Sequence, residues 1–191
     1  GIIINEEKAI KDYTHSGYTG VNILLWKTDC ELHVNIKNLK DNVVQTIGVN
    51  SAMQRVNKDM ILYRGTNANF YFDSLSNIQE GMLIPFKGVT STSTKLDIAN
   101  SFTQNNPRAL DNIKPVVFKI NVPAGRSAHI ENDIDGESEV ILPPAIYEVN
   151  KVETQENNIV MIEITQKELL DVQDLILDGL DYVKQNAHKV G

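Results

Sequence analysis

The sequence predicts an α+β domain in which helices come first and short strands follow. Three observations carry this expectation. Apolar residues recur at helical spacing up to about residue 58. From Met60 onward the apolar runs become short and rich in β-branched residues, with little room between them for helices, which argues against a βαβ repeat. Helical spacing then returns after residue 166.

Taken in order, Glu6-Glu7-Lys8-Ala9-Ile10-Lys11 suits a short helix that stops near His15-Ser16-Gly17. Val21 to Trp26 is too short an apolar run to separate a strand from a buried helix. Leu39, Val43, Val44 and Ile47 mark a further helix, and Ala52 to Val56 extends or repeats it. Met60 to Arg64 reads as a strand closed by Gly65, and residues 66–82 as a polar, turn-rich stretch with one short helix around Phe72 to Leu75. Gly88 to Ser93 is β-prone and hydroxyl-rich, and Asp97 to Gln104 is helical. Val116 to Val122 is a strand ended by Pro123 and Gly125. Strands are expected at Ser127–Ile130, Glu139–Leu142, Ile146–Glu153 and Ile159–Ile164. Residues 166–187 read as helix, with Gly179 dividing the run in two. The implied organisation is one domain over residues 1–165, with residues 166–191 as a C-terminal helical cap or linker of the same domain.

Composition narrows the function classes. The chain has 191 residues, 41% hydrophobic and 23% charged, which suffices for one well-buried core. Its net charge of −7 argues against broad binding to nucleic acid or anionic membranes. No apolar stretch reaches membrane-spanning length. The first residue is Gly and not Met, which points to a processed or excised fragment. A single cysteine, Cys30, excludes a disulfide framework. The four histidines, His15, His33, His129 and His188, are scattered and read as surface or loop residues. Asp133 and Asp135 lack the regular ligand spacing of a calcium loop, so no metal is expected. Phosphate-binding and dinucleotide Gly-rich fingerprints are also missing.

Three segments combine unusual polarity with apolar strands. Arg64 closes Leu62-Tyr63, where its planar fork suits a phosphate or carboxylate, and Gly65 lets a ligand approach the backbone. In Ser91-Thr92-Ser93, alternation puts the two serines on one strand face, where small hydroxyls can brace a polar group. In Glu137-Ser138-Glu139-Val140-Ile141-Leu142-Pro143-Pro144, two carboxylates share a face and the apolar continuation pins Glu139 to the core. Such a pair suits stabilising positive charge on a sugar carbon and steering a cationic nucleophile.

In this order the segments resemble the Arg, Ser-Thr-Ser, Glu-x-Glu signature of arginine-modifying mono-ADP-ribosyltransferases, above all the catalytic domains of bacterial actin-modifying toxins. A fourth segment, Tyr13 to Asn22, resembles the N-terminal region that closes over NAD in those toxins, and the likeness covers roughly residues 5–165. The resemblance implies a split antiparallel β-sandwich with an N-terminal helical region flanking an NAD cleft. It implies Arg64, Ser91, Glu137 and Glu139 as catalytic residues, and Tyr13, Tyr18, Asn22, Arg64, Gly65, Phe102 and Glu139 as contacts to NAD. Ser91 would hold Glu139, which would face the ribose, while Glu137 would act on the acceptor guanidine. Residues 130–136, with Ile134, Asp135 and Gly136, would meet the target protein. Ile134 replaces an aromatic often found there, Asn105 stands where some relatives carry an extra phosphate-binding Arg for which Arg108 could substitute, and Gly88 replaces a polar residue. The implied activity is transfer of ADP-ribose from NAD to an arginine of a host protein, with actin the best single guess, by a toxin secreted or delivered into a host cell by a domain missing from this chain. Two other readings are a plain NAD glycohydrolase and a catalytically silent binding domain.

Overall fold

The apolar run Pro115–Val122, the strongest strand in the sequence, has strands on both sides. The computed structural model describes residues 5–13, 39–67, 78–99, 115–131, 139–156 and 158–186. Among them nine strands form one sheet: β1 (Gln54–Arg55), β2 (Met60–Asn67), β3 (Leu83–Phe86), β4 (Thr90–Ser93), β5 (Pro115–Val122), β6 (Ser127–Glu131), β7 (Glu139–Leu142), β8 (Ala145–Thr154) and β9 (Val160–Leu169). The spatial order is β1-β6-β7-β4-β2-β5-β9-β8-β3. Every pairing is antiparallel except β5 with β9, which run parallel from Val116↔Val160 to Asn121↔Thr165. The expected all-antiparallel arrangement is corrected at that one pair.

The sheet is nearly cut in two. β2 and β5 pair along eight residues, from Met60↔Val122 to Asn67↔Pro115, whereas β2 meets β4 only at Tyr63↔Ser93. The two halves fold toward each other over a shared core. Val56, Ala128, Val140 and Leu142 of one half cluster with Leu62, Phe118, Ile120, Ile162 and Ile164 of the other. Phe86 packs edge-on to Phe118 at 5.2 Å and tilted against Tyr147 at 4.8 Å. Gln166 of β9, only 1% exposed, crosses between the halves: its Oε1 accepts from the Ser127 backbone N–H at 3.4 Å, and its Nε2 donates to the Tyr147 hydroxyl at 3.3 Å. A buried amide is tolerable there because both of its polar ends find partners.

Three helices lie on the other face of the β4–β7 half: α1 (Glu6–Asp12), α2 (Leu39–Ser51) and α3 (Val172–Asn186). Asn5 caps α1 by accepting from the Lys8 N–H at 3.0 Å, and Glu6 and Glu7 complement the positive helix end. Asp171 caps α3 in the same way, through the Asp174 N–H at 3.1 Å. Ala9, Ile10 and Tyr13 of α1, Val49 of α2, and Val172 and Ile176 of α3 form one cluster with Val89 and Ile141 of the sheet half.

Several sequence expectations are corrected. Ala52 to Val56 is not helical: α2 ends at Ser51, and Gln54 and Arg55 pair with Ala128 and Ser127. Gly65 does not close β2, because its backbone continues the ladder opposite Val117. Leu83–Phe86 is an unannounced edge strand, with Ile84 and Phe86 buried and Pro85 exposed, the position in which a sheet accepts proline. Residues 166–169 belong to β9, because β8 pairs with them as far as Ala145↔Leu169. Gly179 does not divide α3; it lies on the buried face, where packing offsets the ~1 kcal/mol that glycine costs a helix relative to alanine. Residues 96–99 are helical as expected. Val21 to Trp26, the helix around Phe72 and the remainder of Asp97 to Gln104 lie outside the described residues.

Phe118→Ala should cost about 3–5 kcal/mol, as expected for emptying an aromatic site in a core, because Phe118 is fully buried against Phe86. Ile61→Ala on the adjacent strand, at a residue 51% exposed, should change stability by about 0.5 kcal/mol or less. Urea titration of both variants measures the contrast.

Candidate functional site

The seam between the two sheet halves gathers the polar residues. Tyr63 of β2 pairs with Ser93 of β4, and Ser93 pairs with Glu139 of β7. Two inter-strand steps of about 4.8 Å therefore put the Glu139 backbone roughly 10 Å from Tyr63, the residue next to Arg64. Beyond that pair, the β2 edge that faces β4 has no strand partner among the described residues. Arg64 and Gly65 follow directly, so backbone and guanidinium both border the opening.

Alternation sorts the flanking strands. Thr90, Thr92, Val140 and Leu142 face the shared core, and all four are buried. Thr92 Oγ1 donates to the Val140 carbonyl at 2.7 Å, which locks β4 to β7 from beneath. The alternate residues, Ser91 and Ser93 on β4 with Glu139 and Ile141 on β7, face the helices. Val140, Ile141 and Leu142 are fully buried, while Glu139 at the strand start is half-buried. The apolar continuation thus holds Glu139 at the rim of the core.

Arg64 Nη1 donates to the Ser91 carbonyl at 3.0 Å, across the seam. This charge-assisted bond orients the guanidinium plane and draws β2 toward β4 where backbone pairing has stopped. The Ser91 hydroxyl lies 3.2 Å from the Tyr13 hydroxyl, which also donates to the Val89 carbonyl at 3.2 Å. Tyr13 ends α1 and is 2% exposed, so it sits behind Ser91. Ser93 stands directly across from Glu139, and Ser91 is its diagonal neighbour on the same face. Ser93 Oγ accepts from the Lys95 N–H at 3.0 Å.

Glu131, which the sequence reading did not single out, is opposite Glu139 in the β6–β7 ladder. Like charges facing each other across strands repel. His129 Nε2 lies 2.7 Å from Glu131 Oε2, two residues back on the same strand face, and ties Glu131 down along β6. His129 is therefore more than the scattered loop histidine that the sequence suggested. A His-x-Glu spacing at the end of the expected strand Ser127–Ile130 was the available signal for this pair, with Glu131 one residue beyond it.

The structure brings Arg64, Gly65, Ser91, Glu139 and Tyr13 to one seam. Tyr18, Asn22, Phe102, Ile134, Asp135, Gly136 and Glu137 lie outside the described residues, as do Asn105 and Arg108. Among the described residues no group of three His, Cys, Asp or Glu side chains is arranged to hold a metal ion.

Comparison with known proteins gives three findings. A family model described as ADP-ribosyltransferase exoenzyme matches residues 2–175. A curated relative, the putative NAD(+)–arginine ADP-ribosyltransferase Vis of Vibrio splendidus (strain 12B01), is 27% identical over 160 residues, covering 82% of this chain and 63% of the relative. The chain thus spans less than two thirds of that relative's length. The solved structure of the Vis toxin from Vibrio splendidus superposes with a TM-score of 0.68 at 27% identity, covering 87% of this chain and 75% of that chain. Vis in complex with agmatine superposes with the same TM-score at 26% identity, covering 87% and 76%.

Thr92→Val keeps the shape of the side chain but removes the bond beneath the seam. It should cost about 1–2 kcal/mol, the price of leaving a buried acceptor without its donor, as read from the urea midpoint.

Proposed function

The chain belongs to the ADP-ribosyltransferase exoenzyme family, and on that premise we propose that it transfers ADP-ribose from NAD to an arginine side chain of a protein, releasing nicotinamide. The observation that carries this reading is the meeting of Arg64, Ser91 and Glu139 at the narrow β2–β4 join of the described sheet. Its groups suit NAD: a guanidinium for phosphate with the Gly65 backbone beside it on β2, and a carboxylate two strands away on β7. The likeness to Vis supports arginine as the acceptor, since Vis is named for that activity and has been solved with agmatine, a molecule that ends in a guanidinium.

NAD, when bound, supplies a glycosidic bond whose cleavage leaves positive charge on the ribose carbon. Arg64 binds phosphate oxygens with its planar fork, already oriented by the Ser91 carbonyl. Glu139 sets its negative charge against the ribose from a strand that the core holds still. Fixed charge of this kind needs no reorganisation when bond breaking begins. Glu137 serves the acceptor: a guanidinium is protonated at neutral pH and needs a carboxylate to position it or take its proton. Ile134, Asp135 and Gly136 meet the target protein. Tyr18, Asn22 and Phe102 complete the contacts to NAD. Actin as the target and delivery into a host cell by a further domain rest on the resemblance of the motifs to the actin-modifying toxins. We place α3 in the same domain as the site, because it packs with α1 behind the seam.

Glu139→Gln preserves size and removes the charge. Both nicotinamide release without acceptor and transfer to agmatine should fall by ~10²- to 10⁴-fold, the range for losing a main electrostatic stabiliser, with folding unchanged. Near-native release would reject the assignment.

Glu137→Gln should separate transferase from hydrolase. Transfer to agmatine should drop by ~10²-fold or more, the reach of a positioned acid–base group, while nicotinamide release into water changes much less. A paired assay on one preparation checks this, and equal loss of both activities would put Glu137 on the NAD side. Release of nicotinamide with no transfer to agmatine in the native protein would favour the glycohydrolase.

A further inference from the structure

The Tyr13 hydroxyl is placed to control a single hydrogen. Its oxygen lies 3.2 Å from the Val89 carbonyl and 3.2 Å from Ser91 Oγ. Its ring is buried among Val49, Val89, Ile141 and Ile176, so it has little freedom to swing away. A phenol and a serine hydroxyl carry one hydrogen each, whereas the Val89 carbonyl can only accept. While Tyr13 donates to Val89, the Ser91 hydrogen has the Tyr13 oxygen as its acceptor. If Tyr13 turns its hydrogen to Ser91, the Ser91 hydrogen is released to point at an acceptor on its own strand face. That face carries Glu139 at the diagonal position.

We propose that Tyr13 is a positioning residue that acts through Ser91, its hydroxyl setting which way the Ser91 hydrogen points, and that it does not touch NAD. This rests on the site reading above and replaces the direct NAD contact that the sequence resemblance implied for Tyr13. The Ser91 carbonyl is held by Arg64, so Tyr13 and Arg64 grip one residue, one by its side chain and one by its carbonyl. Because Tyr13 follows α1, the docking of α1 against α2 and α3 fixes where this hydroxyl meets Ser91.

The test is a double-mutant cycle of Tyr13→Phe and Ser91→Ala, read by nicotinamide release, by calorimetric NAD affinity and by urea stability. Tyr13→Phe keeps the ring and should lower the turnover of nicotinamide release ~3- to 30-fold, the reach of one lost hydrogen bond. NAD affinity should stay within about twofold, a change worth under ~0.5 kcal/mol. In the Ser91→Ala background, Tyr13→Phe should have no further effect on turnover. Equal factors in both backgrounds, or a tenfold loss of NAD affinity, overturn the proposal. If Tyr13→Phe does not fold, 3-fluorotyrosine incorporated at position 13 gives a second reading: Ser91→Ala should shift its fluorine resonance, and an unmoved resonance overturns the proposal. Native nicotinamide release in Glu139→Gln has a separate meaning, since it removes the site reading and this inference with it.

Discussion

Among the described residues, Tyr63 and Ser93 make the single strand pair that joins the two halves of the sheet, and the candidate site is arranged around that narrow join. Backbone amides and carbonyls released from a ladder need other partners. At the seam, the Arg64 guanidinium takes the Ser91 carbonyl, and away from the seam Gln166 bonds Ser127 across the core. The join is therefore held by side chains where strand pairing stops, and it is bordered by the Arg64 guanidinium, the Gly65 backbone and the Glu139 carboxylate. A fully paired sheet would hold its halves together more strongly and would have no such opening.

The burial of neighbouring residues explains why a polar seam can keep its geometry. Thr92, Val140, Ile141 and Leu142 are each under a tenth exposed, and they carry Ser91 and Glu139 as adjacent residues on the same two strands. A strand residue next to a packed one inherits its position, because the pleat allows side chains only two directions. The site is thus as rigid as the core beneath it. The contact of His129 with Glu131 orients the neighbouring strand's carboxylate, which stands directly across from Glu139.

Much of this was legible in the sequence where local chemistry was unambiguous. Glu139–Leu142 reads as a strand because a charge meets an apolar run ended by two prolines, and its bounds match the structure. Arg64 and Glu139 stood out because each is a charged residue at the end of an apolar run, and Ser91 because alternation along its hydroxyl-rich strand puts it on one face with Ser93. The misreadings share a cause. Gly65 has turn propensity, but eight pairs with β5 outweigh it. Leu169 and Leu170 suit a helix as well as a strand, and pairing with β8 decides for the strand up to Leu169. Gln54 and Arg55 carry no strand signal of their own and become one only by meeting β6. The relation of Glu131 to Glu139 is a matter of register, and that of Tyr13 to Ser91 spans 78 residues of chain. Neither can be read from local spacing.

The parallel pair has a consequence for how the chain acquires its structure. β9, made last among the strands, is inserted between β5 and β8 and not added at an edge. A nascent chain that has exposed everything before Val160 can form β2 with β5 and β3 with β8, but nothing yet links the far side of β5 to the β8–β3 pair. Hydrophobic residues that the finished protein buries on β5, such as Val117 and Phe118, then wait in water for a segment some forty residues downstream. Pairings this distant in sequence close slowly, because the intervening loop must be ordered before any contact offsets it. The chain is thereby kept from completing its sheet until Val160–Leu169 is available, a delay that leaves an interrupted chain open to proteolysis.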